Sequence, residues 1–368
     1  MFNSTSIAAL TTTVIPLASF NETSIPTLSE LLDQLGCQMG EIVVNTFILP
    51  AVNLIGFVLC SFSFWIFLRP SFEDSIFFYY KLLCFVNIIH LLHNIPYGIL
   101  YSPLYFPMID TYASSIYLIY YAFFATFLFH FEEVLQMAIL LHKMKLYVPF
   151  IRKHFSARPQ IISLIFFLVC LLIDLPFAFS FKIVSFGDYS YLNSNNVKQI
   201  VAFFYPSSSE FSKSLFGQIL LGFTLFFLNF VLSLIVGVTL NIFSYIKYKL
   251  YANQRQRNLE ELKMSSVHNR PTTSREIDQQ RQKEKKNHQI ERNMFYMAFT
   301  FSSISILSRF LLISGYIYFF IFSSYNSSFK IPLLINSVYT LFPSLSIFVF
   351  YSFNEIFRDE TKTSFGFE

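Results

Sequence analysis

Seven apolar stretches, each long enough to cross a lipid bilayer, run along this chain and leave only short polar pieces between them. They cover Ile42–Leu68, Ser75–Leu100, Tyr112–Leu141, Ile161–Phe181, Leu215–Ile246, Met294–Phe322 and Ile331–Phe350. A hydrocarbon core of about 30 Å takes roughly 20 apolar residues in helical form. Backbone amides in lipid must bond within their own segment, so each stretch is expected to be a helix rather than a strand. The expected fold class is therefore all-α, an integral membrane bundle of seven transmembrane helices. Charged residues make up only 13% of the 368, against about 25% in a soluble domain. An odd number of crossings places the two chain ends on opposite sides of the membrane.

Orientation follows from two independent sets of residues. Twenty of the 26 Lys and Arg fall in Arg69, Lys143–Arg158, Lys247–Arg292 and Arg358–Lys362. The alternate segments hold Lys182, Lys198, Lys213 and Lys330. Basic residues accumulate on the cytoplasmic side, which puts residues 1–41 outside as an extracellular tail. The glycosylation sequons at Asn3, Asn21 and Asn326 then all lie on the outer side,. Residues 42–351 form the bundle, with a third inner loop over 247–293. Residues 352–368 are read as a cytoplasmic tail that opens on an amphipathic helix, since Phe353, Ile356 and Phe357 alternate with Asn354, Glu355 and Arg358,. The expected location is the plasma membrane, in multi-pass form.

Residues 1–41 lack the basic and compact apolar regions of a signal peptide,. Of the four cysteines, Cys60, Cys84 and Cys170 fall inside the first, second and fourth stretches, leaving only Cys37 outside. No pair of outer-loop cysteines is available for a disulfide, and no cofactor or metal-ligand spacing is present,. The second outer segment, Lys182–Ser214, is rich in Tyr, Phe, Ser and Asn, and suits either a hairpin over the bundle mouth or an irregular connector. In the third inner segment, the fifth helix is expected to extend past the membrane, and the sixth to start early after a break near Ser265–Ser274.

Several short patterns resemble rhodopsin-like G-protein-coupled receptors over about residues 42–358. Asn87 in Leu82–Asn87 stands where such receptors carry a carboxylate, and Pro96 follows in an Ile95-Pro96-Tyr97 context. Leu172-Ile173-Asp174-Leu175-Pro176 looks like the corresponding stretch of invertebrate FMRFamide-type peptide receptors, and Phe357-Arg358 resembles the family's signature after the seventh helix. The departures are equally specific. Leu141-His142-Lys143-Met144 replaces the Asp-Arg-Tyr that ends the third helix, and Ser346–Phe350 replaces the Asn-Pro-x-x-Tyr of the seventh. The sixth helix has no Trp-x-Pro; the single tryptophan is Trp65 in the first.

Ionisable groups inside a bilayer cost roughly 2.5–3.5 kcal/mol each at a helix centre and ask for a reason. Glu132 and Glu133 are adjacent near the middle of the third stretch and point about 100° apart, so they cannot share one partner equally. The resemblance implies a polar pocket for a sodium ion, with Glu132 as its carboxylate and Asn87 as a neutral co-ligand. The competing reading is a protonated glutamate hydrogen-bonded to a neighbour. Arg309, past the middle of the sixth stretch, must find an anion, carbonyls or water. It would either meet a carboxylate-bearing ligand or be satisfied otherwise, by an internal pair or by snorkelling to an aqueous vestibule. Asp174 lies at a similar depth, and His93 shares a face with His90 near the outer cavity; with Tyr97 these complete the ligand-pocket candidates. His142, Lys143 and Lys145 are expected to face a G protein.

The expected function is a receptor that senses an extracellular ligand, a neuropeptide in the first instance, and activates a heterotrimeric G protein. An orphan chemosensory receptor for small molecules is the alternative, and a seven-helix channel or transporter the second. A light sensor would need a Schiff-base lysine in Ile331–Phe350, which has none. No nucleophile or acid–base cluster in register suggests an enzyme, and nucleic acid is not an expected partner.

Overall fold

The computed structural model describes residues 47–100, 111–155, 157–192, 198–225, 231, 234–268, 274–322 and 343–365. Helices α1 (Leu49–Phe67), α2 (Ser75–Leu100), α3 (Thr111–Met144) and α4 (Pro159–Ala178) cover the first four apolar stretches. The fifth stretch holds α5 (Leu215–Leu225) and α6 (Val238–His268), with a π-helical turn over residues 234–237. Helix α7 (Ser274–Phe322) covers the sixth, α8 (Pro343–Phe353) part of the seventh, and α9 (Glu355–Phe365) follows. Most of the loop expected over 247–293 is therefore helix. Its residues are charged but rich in Gln, Glu, Lys and Arg, which lose little rotamer freedom in a helix.

Among the described residues, five helices are long and apolar enough to cross a membrane, and α5 and α8 are shorter apolar ones. The surface is inverted relative to a water-soluble bundle. Only 22% of the span in α4 is buried, although it is the most apolar. Leu164, Ile165, Leu168 and Leu172 face outward, while Ser163, Cys170 and Asp174 face the interior. Lipid tails are as apolar as leucine, so polar and small residues are what gain by turning inward. Helix α1 shows the same choice, burying Asn53, Gly56, Cys60 and Ser63 on one face.

Helix α3 is the central element and packs against α2, α4, α6 and α7. Between α4 and α5, strands β1 (Phe181–Leu192) and β2 (Lys198–Ser208) pair antiparallel, Phe181 opposite Ser208 and Leu192 opposite Lys198, with a bulge between Ser185 and Gly187. Of the two forms open to this segment, the hairpin is the one formed, and it rests on α3. Its base is tied by Ser209 N–H to the Ser180 carbonyl at 3.0 Å and by Lys182 to Glu210 at 2.7 Å.

At the opposite end an aromatic cluster joins α1, α2, α8 and α9. Phe67 meets Phe350, Phe72 and Phe357 at centroid distances of 4.7, 5.0 and 5.1 Å. The Asn354 side chain accepts the Phe357 N–H at 3.1 Å and so caps α9,. Arg69 binds Glu360 and Ser364, and Ser71 binds Glu360, so the turn between α1 and α2 clamps the C-terminal helix. That helix starts at Glu355, a little later than its sequence pattern suggested, and runs to Phe365.

Candidate functional site

The polar interior collects at the middle of the bundle, between α2, α3, α7 and α8. A cavity of about 20 Å³ there is lined by Asn87, Glu132, Glu133, Gln136, Ser308 and Arg309, with Pro343 and Ser346 from α8. That volume holds about one water-sized occupant. The three residues singled out from sequence as an intramembrane network, Asn87, Glu132 and Glu133, thus line one cavity with Arg309.

Arg309 is 1% exposed and takes its anion from within: Nη2 lies 3.0 Å from Glu133 Oε2. The same nitrogen donates to the Phe129 carbonyl at 2.9 Å, and the guanidinium lies over the Phe129 ring. Phe129 and Glu133 are one turn apart on α3, so a single side chain of α7 grips two successive turns. Of the two readings open for Arg309, the internal pair is the one formed, because the neighbouring helix carries a carboxylate at its own depth. Breaking a buried pair from one side costs about 3–5 kcal/mol, since the partner charge is stranded.

Glu132 points elsewhere, as the 100° step requires. Its Oε1 accepts from Gln136 Nε2 at 3.1 Å, and its Oε2 lies 3.8 Å from His90 Nδ1 on α2. The Glu132 Oε2 and Asn87 Oδ1 atoms are both buried without a hydrogen-bond partner. Two acids and one arginine line this cavity. Two unpartnered oxygens and room for one small occupant suit a water molecule or a small cation alike,.

Asp174 has an internal partner that sequence reading passed over. His130 Nδ1 on α3 lies 2.9 and 3.0 Å from its two carboxylate oxygens, with neither side chain exposed. An intramembrane histidine three residues from Glu133 carried a signal that the rarity of such groups already supplies. Closer to the hairpin, His93 stacks on Tyr121 at 4.9 Å and its carbonyl accepts from Tyr117. Tyr121 donates to Asn94 at 2.6 Å. Tyr97 extends α2 one turn beyond His93. Asn3, Asn21, Asn326 and Cys37 lie outside the described residues.

At the α9 end, His142 Nε2 lies 3.2 Å from Ser75 Oγ, and Lys143 is within electrostatic reach of Glu291 and Asp74. Lys145 sits over the Phe155 ring, and its partial burial holds its ammonium below the ordinary lysine value. Just beyond, the Tyr147 and Ser244 hydroxyls are 2.8 Å apart and join the end of α3 to α6. Burial pushes the Tyr147 hydroxyl up to about 12, so it stays neutral at physiological pH. A neutral hydrogen bond of this kind contributes about 1 kcal/mol. Helices α6 and α7 are tied to each other by Asn241 to Ser302 at 2.8 Å, by Arg255 to Glu291, and by the stacked Tyr248 and Phe295 rings at 3.9 Å.

No family model and no curated protein matches this chain. Among solved structures, the crystal structure of squid rhodopsin superposes with a TM-score of 0.60 over 94% of this chain and 91% of that one, at 12% identity. The chain is thus a multi-pass membrane protein with a rhodopsin-like helical fold.

Proposed function

We propose that the chain is a heptahelical receptor that binds an extracellular ligand and activates a heterotrimeric G protein. The observation that carries this reading is the placement of buried charge. Arg309, Glu133, Glu132 and Asn87 meet at mid-depth around a cavity of about 20 Å³, which suits a transmission core better than a substrate path. Ligand contact near His93 and Tyr97, above this layer and beneath the hairpin, biases the packing of α6, α7 and α8. Arg309 and Asp174, engaged by Glu133 and His130, respond to the ligand through those partners. His142, Lys143 and Lys145 border the inner surface offered to the G protein.

A sodium ion at Asn87 and Glu132 would stabilise one packing by satisfying their unpartnered oxygens. A neuropeptide is the favoured ligand class, and a small chemosensory molecule is the second reading. The test is nucleotide exchange on purified G proteins by the chain in nanodiscs, screened against peptide and small-molecule libraries. Exchange that a peptide stimulates, and that a His142→Ala, Lys143→Ala, Lys145→Ala triple variant abolishes, is the expected result. Solute flux through liposomes without any exchange would replace the receptor with a transporter.

A further inference from the structure

A row of aromatic rings joins α6 to α7 near the α9 end. Tyr245 meets Phe299 with ring centroids 5.9 Å apart, and Tyr248 meets Tyr296 at 6.3 Å while stacking on Phe295. Arg292, Tyr296 and Phe299 stand at i, i+4 and i+7, so they share one stripe of α7. On α6, Ile242, Tyr245, Ile246, Lys249 and Leu250 make a matching stripe, and all five are exposed. The row lies where the apolar part of each helix ends. Lys247 and Lys249 follow Ile246 on α6, and Arg292 precedes Met294 on α7. Tyrosine suits such a boundary, with its ring in the apolar layer and its hydroxyl among the headgroups.

Two observations at this boundary call for an anion. The Tyr248 hydroxyl is buried without a hydrogen-bond partner, on a residue only 7% exposed, and a buried donor left unpaired is costly. Arg292 is exposed and within electrostatic reach of that hydroxyl. Glu291 also faces it, but Arg255 and Tyr251 already engage that carboxylate. The surplus charge beside Tyr248 is therefore positive, from Arg292 and Lys249. We propose that the groove between α6 and α7 at this boundary binds one anionic phospholipid. Its phosphate accepts from the Tyr248 hydroxyl and the Arg292 guanidinium, and an acyl chain lies along Tyr245, Tyr296 and Phe299. The occupant is a lipid rather than a dissolved anion, because the donors end an exposed apolar stripe. It is anionic rather than zwitterionic, because the one acid in the row is occupied and two cations are not. Basic groups at this level attract an anionic leaflet anyway; the buried hydroxyl is what turns attraction into a site. The site goes beyond the receptor reading and does not depend on it.

Native mass spectrometry of the full chain in detergent, titrated with phosphatidylglycerol or phosphatidylcholine, counts bound lipids directly. Phosphatidylglycerol should give its first adduct at about tenfold lower concentration than phosphatidylcholine. Tyr248→Phe should weaken that adduct about tenfold, and Arg292→Gln about fivefold. Both variants leave the packing in place, since one removes a single hydroxyl and the other changes an exposed side chain. Lys213→Gln, an exposed basic residue at the hairpin end, should bind as the wild type does. Excess inorganic phosphate should leave the adduct in place. Equal binding of the two lipids, an unchanged first adduct in Tyr248→Phe or Arg292→Gln, an equal loss in Lys213→Gln, or displacement by inorganic phosphate overturns the site.

Discussion

His130 and Asp174 meet across the interface of α3 and α4 with Nδ1 2.9 Å from the nearer carboxylate oxygen, and neither side chain is exposed. The pair adds a polar tie to α4, of whose span only 22% is buried and whose Phe167 packs edge-on against Phe127 and Phe131 of α3. Asp174→Asn and His130→Ala should each lower stability by about 3 kcal/mol, the lower end of the cost of stranding one partner of a buried pair. Thermal unfolding in detergent, followed by fluorescence-detected size exclusion, measures it. A change under 0.5 kcal/mol, the ordinary range for surface substitutions, would count against the clamp.

Glu133→Gln and Arg309→Gln should each cost about 3–5 kcal/mol singly, and the double variant much less than their sum. A double-mutant cycle on melting midpoints gives the coupling directly. Additive losses would mean that the two side chains act separately.

Gly56 of α1 approaches α8 so closely that an added Cβ would lie 2.1 Å from Ser344 Oγ, with Leu91 of α2 at 3.1 Å. Small residues permit such contacts in membranes, where close backbone approach supplies much of the attraction. Gly56→Val is expected to cost about 1–3 kcal/mol through overpacking, and Gly222→Val, where nothing lies within 4 Å, far less. Parallel melting curves of the two variants check the difference.

Clamping of α9 should fail in acid. The Ser71 hydroxyl, then Arg69, hold the Glu360 carboxyl below its ordinary value of 4.5. A carboxyl lowered by folding contributes stability that is fully present above its unfolded value and is lost as the pH falls through the folded one. Hydrogen exchange of residues 355–365, taken relative to the intrinsic amide rate at each pH, should therefore be slow at neutral pH and rise below about pH 4.5. In Glu360→Gln the exchange should be faster at neutral pH and its acid-induced rise reduced; a rise of wild-type size would assign the effect to another group.

Glycan occupancy at Asn3, Asn21 and Asn326 tests the orientation. Loss of a glycosidase-sensitive band in each Asn→Gln variant is the expected outcome. Glycosylation at an engineered sequon near Gln254, in the inner extension of α6, would reverse the bundle.

The helices were legible because apolar length and lipid solvation leave a chain few choices, and α1 to α4 follow the apolar stretches to within a few residues, apart from α1, whose described start at Leu49 falls seven residues after Ile42. Glu132, Glu133 and Arg309 could be singled out because charge in lipid is rare. Their pairing could not. The choice of Glu133 over Glu132 as the partner of Arg309 depends on the rotation of α3, which adjacent acids leave undetermined. His130 was passed over because a single imidazole between aromatic residues resembles packing until Asp174 is placed beside it. The hairpin was one of two readings, since its alternation of Tyr, Phe and Ser suits a strand and an irregular segment alike. The inner extensions of α6, to His268, and α7, from Ser274, follow the expected ones, because solvated charged residues remain good helix formers.

The narrow space beneath His93 has a further meaning. At about 20 Å³, the void at mid-depth has room for about one water molecule, which makes it a floor to the space above. On the receptor reading proposed above, what passes such a floor is mechanical: a push on one face, delivered as a change of packing on the other.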